Sequence, residues 1–309
     1  GVQRSTEFPA FGMLLYGVSM CVNTFLNYVL IFGKFGAPAM GVTGAAAATL
    51  ISRVVEFAVA VVFVLRSRRL PIYWSCVLRP GRRILHSFIR YSAPVVGNEA
   101  MWSVGTSMLT VIMGHMDNSQ DMLAAYALIG NIDRISTVVC FGIAAAAAVI
   151  VGKEIGQGHD RQRVYDVSWT LLLASMLTGG VVMLFLLTLL PTFFRPVLFP
   201  LFKLAPGAVE AATCLAVIYA VFMPMRAFDI TNITGVLRAG GDAKVASLID
   251  VGPLWLTAIP LMALAGLVLH APTWAVCIAM QAENLCKCPI GLLRFRSRRW
   301  INDVTRAAE

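Results

Sequence analysis

Eight apolar stretches, each long enough to carry a helix across a bilayer, constrain this 309-residue chain more than any motif within it. They cover approximately residues 10–33, 41–65, 92–114, 122–151, 167–190, 208–236, 245–269 and 272–293. A hydrocarbon core takes about 20 residues of helix, whereas a barrel strand crosses it in about ten. Runs of this length therefore predict helices, which alone satisfy their own backbone groups in lipid. The expected fold is an all-α polytopic membrane protein of about eight transmembrane helices. Composition agrees: 58% of residues are hydrophobic and 13% charged, against roughly a quarter charged in soluble domains. The mean hydropathy is +0.77.

The loops set the orientation. Eighteen Lys and Arg fall in one alternating set of connections, and only Lys34, Arg195 and Lys203 fall in the other. The positive-inside rule places the basic set, including Arg66 to Arg90 and the C-terminal tail, in the cytoplasm. The net charge of +9 then reads as topology and contact with anionic head groups, and nucleic acid is not an expected partner. The expected location is an inner (plasma) membrane of bacterial type, with the C-terminus cytoplasmic. Six of the seven cysteines lie within apolar runs, and the four histidines lie in loops or at helix ends. Cys286-Lys287-Cys288 has the wrong spacing for a zinc knuckle. No metal centre, cofactor or catalytic pairing is legible, so the chain is not read as an enzyme.

Charged groups inside apolar runs are expensive and mark functional sites by default. Glu99 stands out because no basic residue lies within four positions of it. Its charge must be met from another helix, by a cation or by a proton. Asn98 and Trp102 flank it, and Pro94 and Gly97 loosen the helix just before it. From the rise of a helix, Glu99 and Asp229 each lie roughly 10 Å in from a cytoplasmic end, whereas Asp133 and Glu283 lie roughly 17 Å deep. Arg53 with Glu56 and Arg226 with Asp229 are spaced i,i+3, and Glu283 with Lys287 is spaced i,i+4, so each pair can neutralise itself on one helix face. Asp133 needs a partner on another helix or serves the cavity. Asp250 has Arg238 or Lys244 as possible partners. Met101, Trp102, Met108 and Met113, with Phe222, Met223, Met225 and Phe228, offer polarizable surface for varied ligands or, equally, ordinary packing.

The stretch from Asn23-Thr24-Phe25-Leu26-Asn27 through Gly36-Ala37-Pro38 and Gly41-Val42-Thr43-Gly44 to Ser52-Arg53 and Glu56 resembles the junction between the fifth and sixth helices of MATE (multidrug and toxic compound extrusion) transporters. Pro94-Val95-Val96-Gly97-Asn98-Glu99-Ala100-Met101-Trp102 is similar to the start of the seventh helix. Gly152-Lys153-Glu154-Ile155-Gly156-Gln157-Gly158 resembles the turn after the eighth, Leu237-Arg238-Ala239-Gly240-Gly241-Asp242 the loop after the tenth, and Arg296-Ser297-Arg298-Arg299-Trp300-Ile301 the tails of the family.

The resemblance implies a chain covering helices five to twelve, truncated before the fifth, of a twelve-helix antiporter whose two six-helix lobes flank a cleft. Residues 1–66 would be the last two helices of one lobe, 67–90 a basic inter-lobe linker, 91–295 a complete second lobe and 296–309 a cytoplasmic tail. It implies export of organic cations in exchange for Na⁺ or H⁺ by a monomer surrounded by lipid. In one branch of the family, acids on the seventh and tenth helices take part in coupling, and these correspond to Glu99 and Asp229. In another branch the coupling acid lies on the first helix. The cavity set is then Glu99, Asn98, Trp102, Asp133 and Asp229, with Na⁺ as the ion that Glu99 would hold. Arg53, Glu56, Arg226, Glu283 and Lys287 form structural ion pairs. A flippase of lipid-linked saccharides in the same superfamily is the alternative, although acids outnumber bases in the spans.

Overall fold

The computed structural model describes residues 9–36, 38–66 and 81–302. Residues 67–80 of the expected linker, residues 303–309 of the tail and residues 1–8 lie outside this set. The chain forms two compact units, Gly1–Ile84 and Leu85–Glu309, and the boundary falls within the segment expected to link two lobes.

The first unit is a helical hairpin of α1 (Pro9–Phe32) and α2 (Gly41–Arg66). Gly44, Ala48 and Ser52 recur every fourth residue on α2 and so share one face. Ala48 and Ser52 are buried, and a side chain at Gly44 would meet the Leu30 carbonyl oxygen at 2.6 Å. Small residues let the two backbones approach, which is how helices associate where lipid is as apolar as the side chains. Polar ties lie along the same seam: Ser19 Oγ donates to Glu56 Oε2 at 3.0 Å, and Asn23 Nδ2 to Ser52 Oγ at 3.2 Å.

The second unit comprises six helical rods: α3 (Arg82–Gly114), α4 (Ser119–Gly156), α5 (Arg161–Leu201), α6 (Pro206–Leu237), α7 (Ala243–Val268) and α8 (Thr273–Arg296). Three of them contain wide π-helical turns, at Leu190–Leu198 in α5, Thr231–Leu237 in α6, and Leu254–Ala258 and Leu264–Val268 in α7. Proline explains two of the sites. Pro191 and Pro196 lie inside the α5 turn, and Pro253 immediately precedes the first turn of α7. A proline removes one backbone donor, and a local widening of the helix lets neighbouring groups be satisfied.

Among the described residues, α1, α2, α4, α5, α6 and α7 include segments long and apolar enough to cross a membrane, whereas α3 and α8 fall outside that class. These two helices carry Asn98 and Glu99, and Gln281, Glu283, Asn284 and Lys287.

Packing is organised around α6, which touches α4, α5 and α8. One apolar cluster, including Met113, Met122, Leu215, Met223 and Met262, fills one end of the unit. A second, including Leu172, Phe228, Val236, Phe295 and Trp300, fills the other. The clusters divide between Ala227 and Phe228 on α6. Asp229 and Asn232 follow this division directly, so the polar groups of α6 lie at the seam between two apolar cores.

Trp300 and Ile301 bring the start of the tail into the fold. Phe295 stacks with Trp300 and Tyr165, at ring separations of 5.6 and 4.8 Å. The Asn302 amide donates to the Gly240 carbonyl at 3.0 Å. A side chain at Gly240 would stand 2.4 Å from Trp300, so this turn closes tightly on the indole.

Candidate functional site

Four helices bring their polar residues together near that seam. α8 presents Glu283, Lys287 and Gly291 at spacings of four, hence on one face. The π turn of α6 lies against this face, since a side chain at Gly291 would stand 2.9 Å from Asn232 Nδ2. α7 contributes Asp250 and α3 contributes Asn98 and Glu99.

Asp250 is the hub. Asn98 Nδ2 donates to its Oδ2 at 2.9 Å, and Lys287 Nζ donates to its Oδ1 at 3.2 Å. Lys287 also forms a 3.1 Å ion pair with Glu283, and Arg238 lies 3.7 Å from Asp250 and 3.5 Å from Glu99. The network counts four acids, Glu99, Asp229, Asp250 and Glu283, against two bases, Arg238 and Lys287. Such an excess of negative charge suits a cation and opposes an anion.

Asp229 differs from the other acids. It is 4% exposed, and neither carboxyl oxygen has a hydrogen-bond partner among the described residues. Asn232, fully buried three residues on, likewise leaves both its amide oxygen and nitrogen without a partner. Buried polar groups are nearly always paired, and exceptions call for a functional explanation. Lys287, Glu283 and Asp250 are the charged groups that act on Asp229 electrostatically. Three oxygens from Asp229 and Asn232, hard donors of the kind that alkali and alkaline-earth cations prefer, are thereby left available in the interior. π turns of this kind recur at functional sites.

Glu99 does not occupy the position expected for it. Its side chain is 64% exposed and its charge is met by Arg238, from the end of α6. Of the three ways expected to meet its charge, the structure shows a partner on another helix, while the orientation of α3 turns Asn98 inward and Glu99 outward. The i,i+3 pairing of Arg226 with Asp229 is also corrected. Arg226 instead grips Asp133 on α4 with both terminal nitrogens, Nη2 standing 2.9 Å from Oδ2. The Tyr219 ring lies 5.5 Å beneath the same guanidinium. A planar fork matched to a carboxylate outweighs a neighbour one turn away. Asp133 and Arg226 therefore pair with each other in the interior, with Glu283 of the acid network within electrostatic reach of Arg226.

Other expected residues divide similarly. Arg53 and Glu56 pair at 2.6 Å in the first unit. Trp102 is exposed on α3, whereas Met113 and Met223 are fully buried in the apolar core and form no ligand wall. A cavity of about 620 Å³ lies at the opposite end of α6 from its π turn, lined by Arg195, Glu210, Thr213, Cys214, Trp274 and Ile278 among others, and reaches none of the acids of the network. Arg238 pairs with Asp250 as one of its two expected partners, whereas its contact with Glu99 and the role of Asn232 are not legible from sequence. Asn232 follows Asp229 by one helical turn, and that spacing was the available signal.

Comparison with known proteins places this geometry in a lineage. The MatE family model matches residues 94–264. The chain is 27% identical to "Probable multidrug resistance protein NorM" of Thermotoga maritima, over 93% of this chain and 60% of that protein. It is 25% identical to "Uncharacterized transporter YisQ" of Bacillus subtilis, over 97% of this chain and 63% of that one. A solved structure titled "Crystal structure of MATE in complex with MaL6" superposes with a TM-score of 0.81 at 18% identity, covering 96% of this chain and 64% of the other. The chain therefore spans roughly 60% of the length of these relatives.

Proposed function

This chain belongs to the MatE family, and on that premise we propose that it supplies the cation-coupling lobe of a secondary antiporter that exports organic cations in exchange for Na⁺ or H⁺. The observation that carries the reading is Asp229: a buried carboxyl with both oxygens unpartnered, two residues before the π turn of α6, within an acid-rich network. A buried carboxylate without a partner is costly, and either a proton or a metal cation bound there relieves that cost. The relatives named for multidrug resistance support efflux as the activity, and the acid excess favours cationic cargo over the pyrophosphate of a lipid-linked saccharide.

The chemistry needed is exchange of one positive charge for another in a space that opens to alternate sides. Asp229 and Asn232 supply oxygen ligands for Na⁺, and Asp229 alone suffices for H⁺. Asn98 fixes Asp250 from the other side, so the acids keep their spacing when the ion changes. Glu99, exposed beside Arg238, is placed to meet cargo and not to hold the coupling ion. The basic loops support a cytoplasmic C-terminus.

The test is efflux of a fluorescent organic cation, ethidium, from vesicles holding the intact protein, driven in turn by a Na⁺ gradient and a pH gradient. Asp229→Asn is expected to abolish efflux under whichever gradient drives the wild type, with the protein still inserted. Glu99→Gln is expected to change it by less than about fivefold, since an exposed ion pair is worth at most about 1 kcal/mol. Undiminished efflux by Asp229→Asn would move coupling elsewhere.

A further inference from the structure

We propose that Lys287 is a resident competitor for the coupling ion: its ammonium, held between Asp250 and Glu283, takes over the Asp229 carboxylate when that ion leaves. The proposal rests on the reading of Asp229 given above and adds how the ion is released.

The argument begins with numbers of partners. Lys287 is 5% exposed, so water does not solvate its charge and acids must. Three carboxylates, Asp229, Asp250 and Glu283, act on this one ammonium. Asp250 has two further partners, a hydrogen bond from Asn98 at 2.9 Å and an ion pair with Arg238 at 3.7 Å. Glu283 has Arg226 within electrostatic reach as a second cation, whereas Lys287 is the one cation that acts on Asp229 among the described residues. One acid is always left over, and here it is Asp229, whose oxygens accept no hydrogen bond among the described residues.

The ammonium has the means to change partners. It carries three N–H donors, and two are engaged, by Asp250 at 3.2 Å and Glu283 at 3.1 Å, which leaves one for a third carboxylate. Four flexible carbons connect it to α8, and Gly291, one turn further along the same face, lies against Asn232, three residues after Asp229 on α6. Asp250 does not lose its compensation if Lys287 leaves, because Asn98 and Arg238 remain. A buried charge stripped of its partner is strongly destabilising, so departure of the ion from Asp229 draws the nearest cation toward it. An arriving ion must displace Lys287. Competition of this kind weakens binding enough for the ion to leave, and it prevents the acid cluster from trapping its ion.

The experiment uses the intact protein in lipid nanodiscs and two direct probes, ²²Na⁺ binding by flow dialysis and proton uptake after a pH jump. It compares wild type, Asp229→Asn, Lys287→Met, Lys287→Arg and the double variant Glu283→Gln/Lys287→Met. Whichever ion the wild type binds, Asp229→Asn is expected to lose it. Lys287→Met is expected to bind that ion about tenfold more tightly, a shift typical of coupling between sites, and Lys287→Arg to stay near wild type. The double variant keeps the net charge of the cluster unchanged while removing the competitor, and it avoids an unpaired Glu283 that would hinder folding of the single variant. It too is expected to bind tightly. Wild-type affinity in the double variant would overturn the proposal and leave Lys287 acting only through its charge. Unchanged affinity in Lys287→Met, with binding lost in Asp229→Asn, would overturn the competitor while sparing the Asp229 reading. Ion binding that survives in Asp229→Asn would overturn both.

Discussion

The interior acids of this chain do two different jobs, and single residues separate them. Asp133 is locked by Arg226, with side-chain exposures of 15% and 19%, and the pair holds α4 to α6. Removing one partner leaves the other charge uncompensated, so Arg226→Ala is expected to destabilise the unit by about 3–5 kcal/mol, while Asp133→Asn/Arg226→Met costs far less. Thermal unfolding in detergent, followed by helical circular dichroism, distinguishes the two. Asp229 has the opposite character, since neither of its carboxyl oxygens accepts a hydrogen bond among the described residues. Residue identity alone left these two aspartates alike: both are intramembrane acids with an arginine within three positions. The sequence spacing pointed to Arg226 with Asp229, yet the guanidinium reaches across 93 positions to Asp133.

At the scale of the element, the helix ends matter as much as the helix faces. The turn after α6 carries Arg238, and the tail seals it: Trp300 Nε1 donates to the Phe295 carbonyl at 2.9 Å, while its ring lies against Gly240. Trp300→Ala should cost about 3–5 kcal/mol, the usual range for emptying a core aromatic site. It should also free the Arg238 turn, read as faster backbone amide exchange across residues 237–242 than in the wild type. Faster exchange confined to the tail would show instead that Arg238 is held without it. In the hairpin of the first unit, Gly44→Leu would drive a side chain into the Leu30 carbonyl. Overpacking of that kind costs about 1–3 kcal/mol, and loss of a disulfide engineered between α1 and α2 in that variant, but not in the wild type, would report the separation. The α-helices themselves were legible in sequence because apolar run length and intrahelical bonding are local. Their π turns were not, because a proline states where a donor is missing and not how its neighbours accommodate the loss.

For the whole molecule, the loop charges make the sharpest prediction. A cysteine replacing Ser297 on a cysteine-free background is expected to react with a membrane-impermeant maleimide only from the cytoplasmic side, and one replacing Lys203 only from outside. Reversed labelling would invert the orientation proposed here. The chain by itself determined the membrane setting, the number and rough limits of the helical rods, and the family to which residues 94–264 assign it. These follow from properties that neighbouring residues settle among themselves: hydropathy, length and local motifs. Only the tertiary structure decided which carboxyl stands alone. Pairings such as Asn98 with Asp250, 152 positions apart, depend on how each helix is rotated about its axis. A rotation of one residue, about 100°, exchanges Asn98 for Glu99 at the interior face. Helix rotation is set by packing of the whole bundle, so the unpaired acid could be found at Asp229 only once six helices had been assembled.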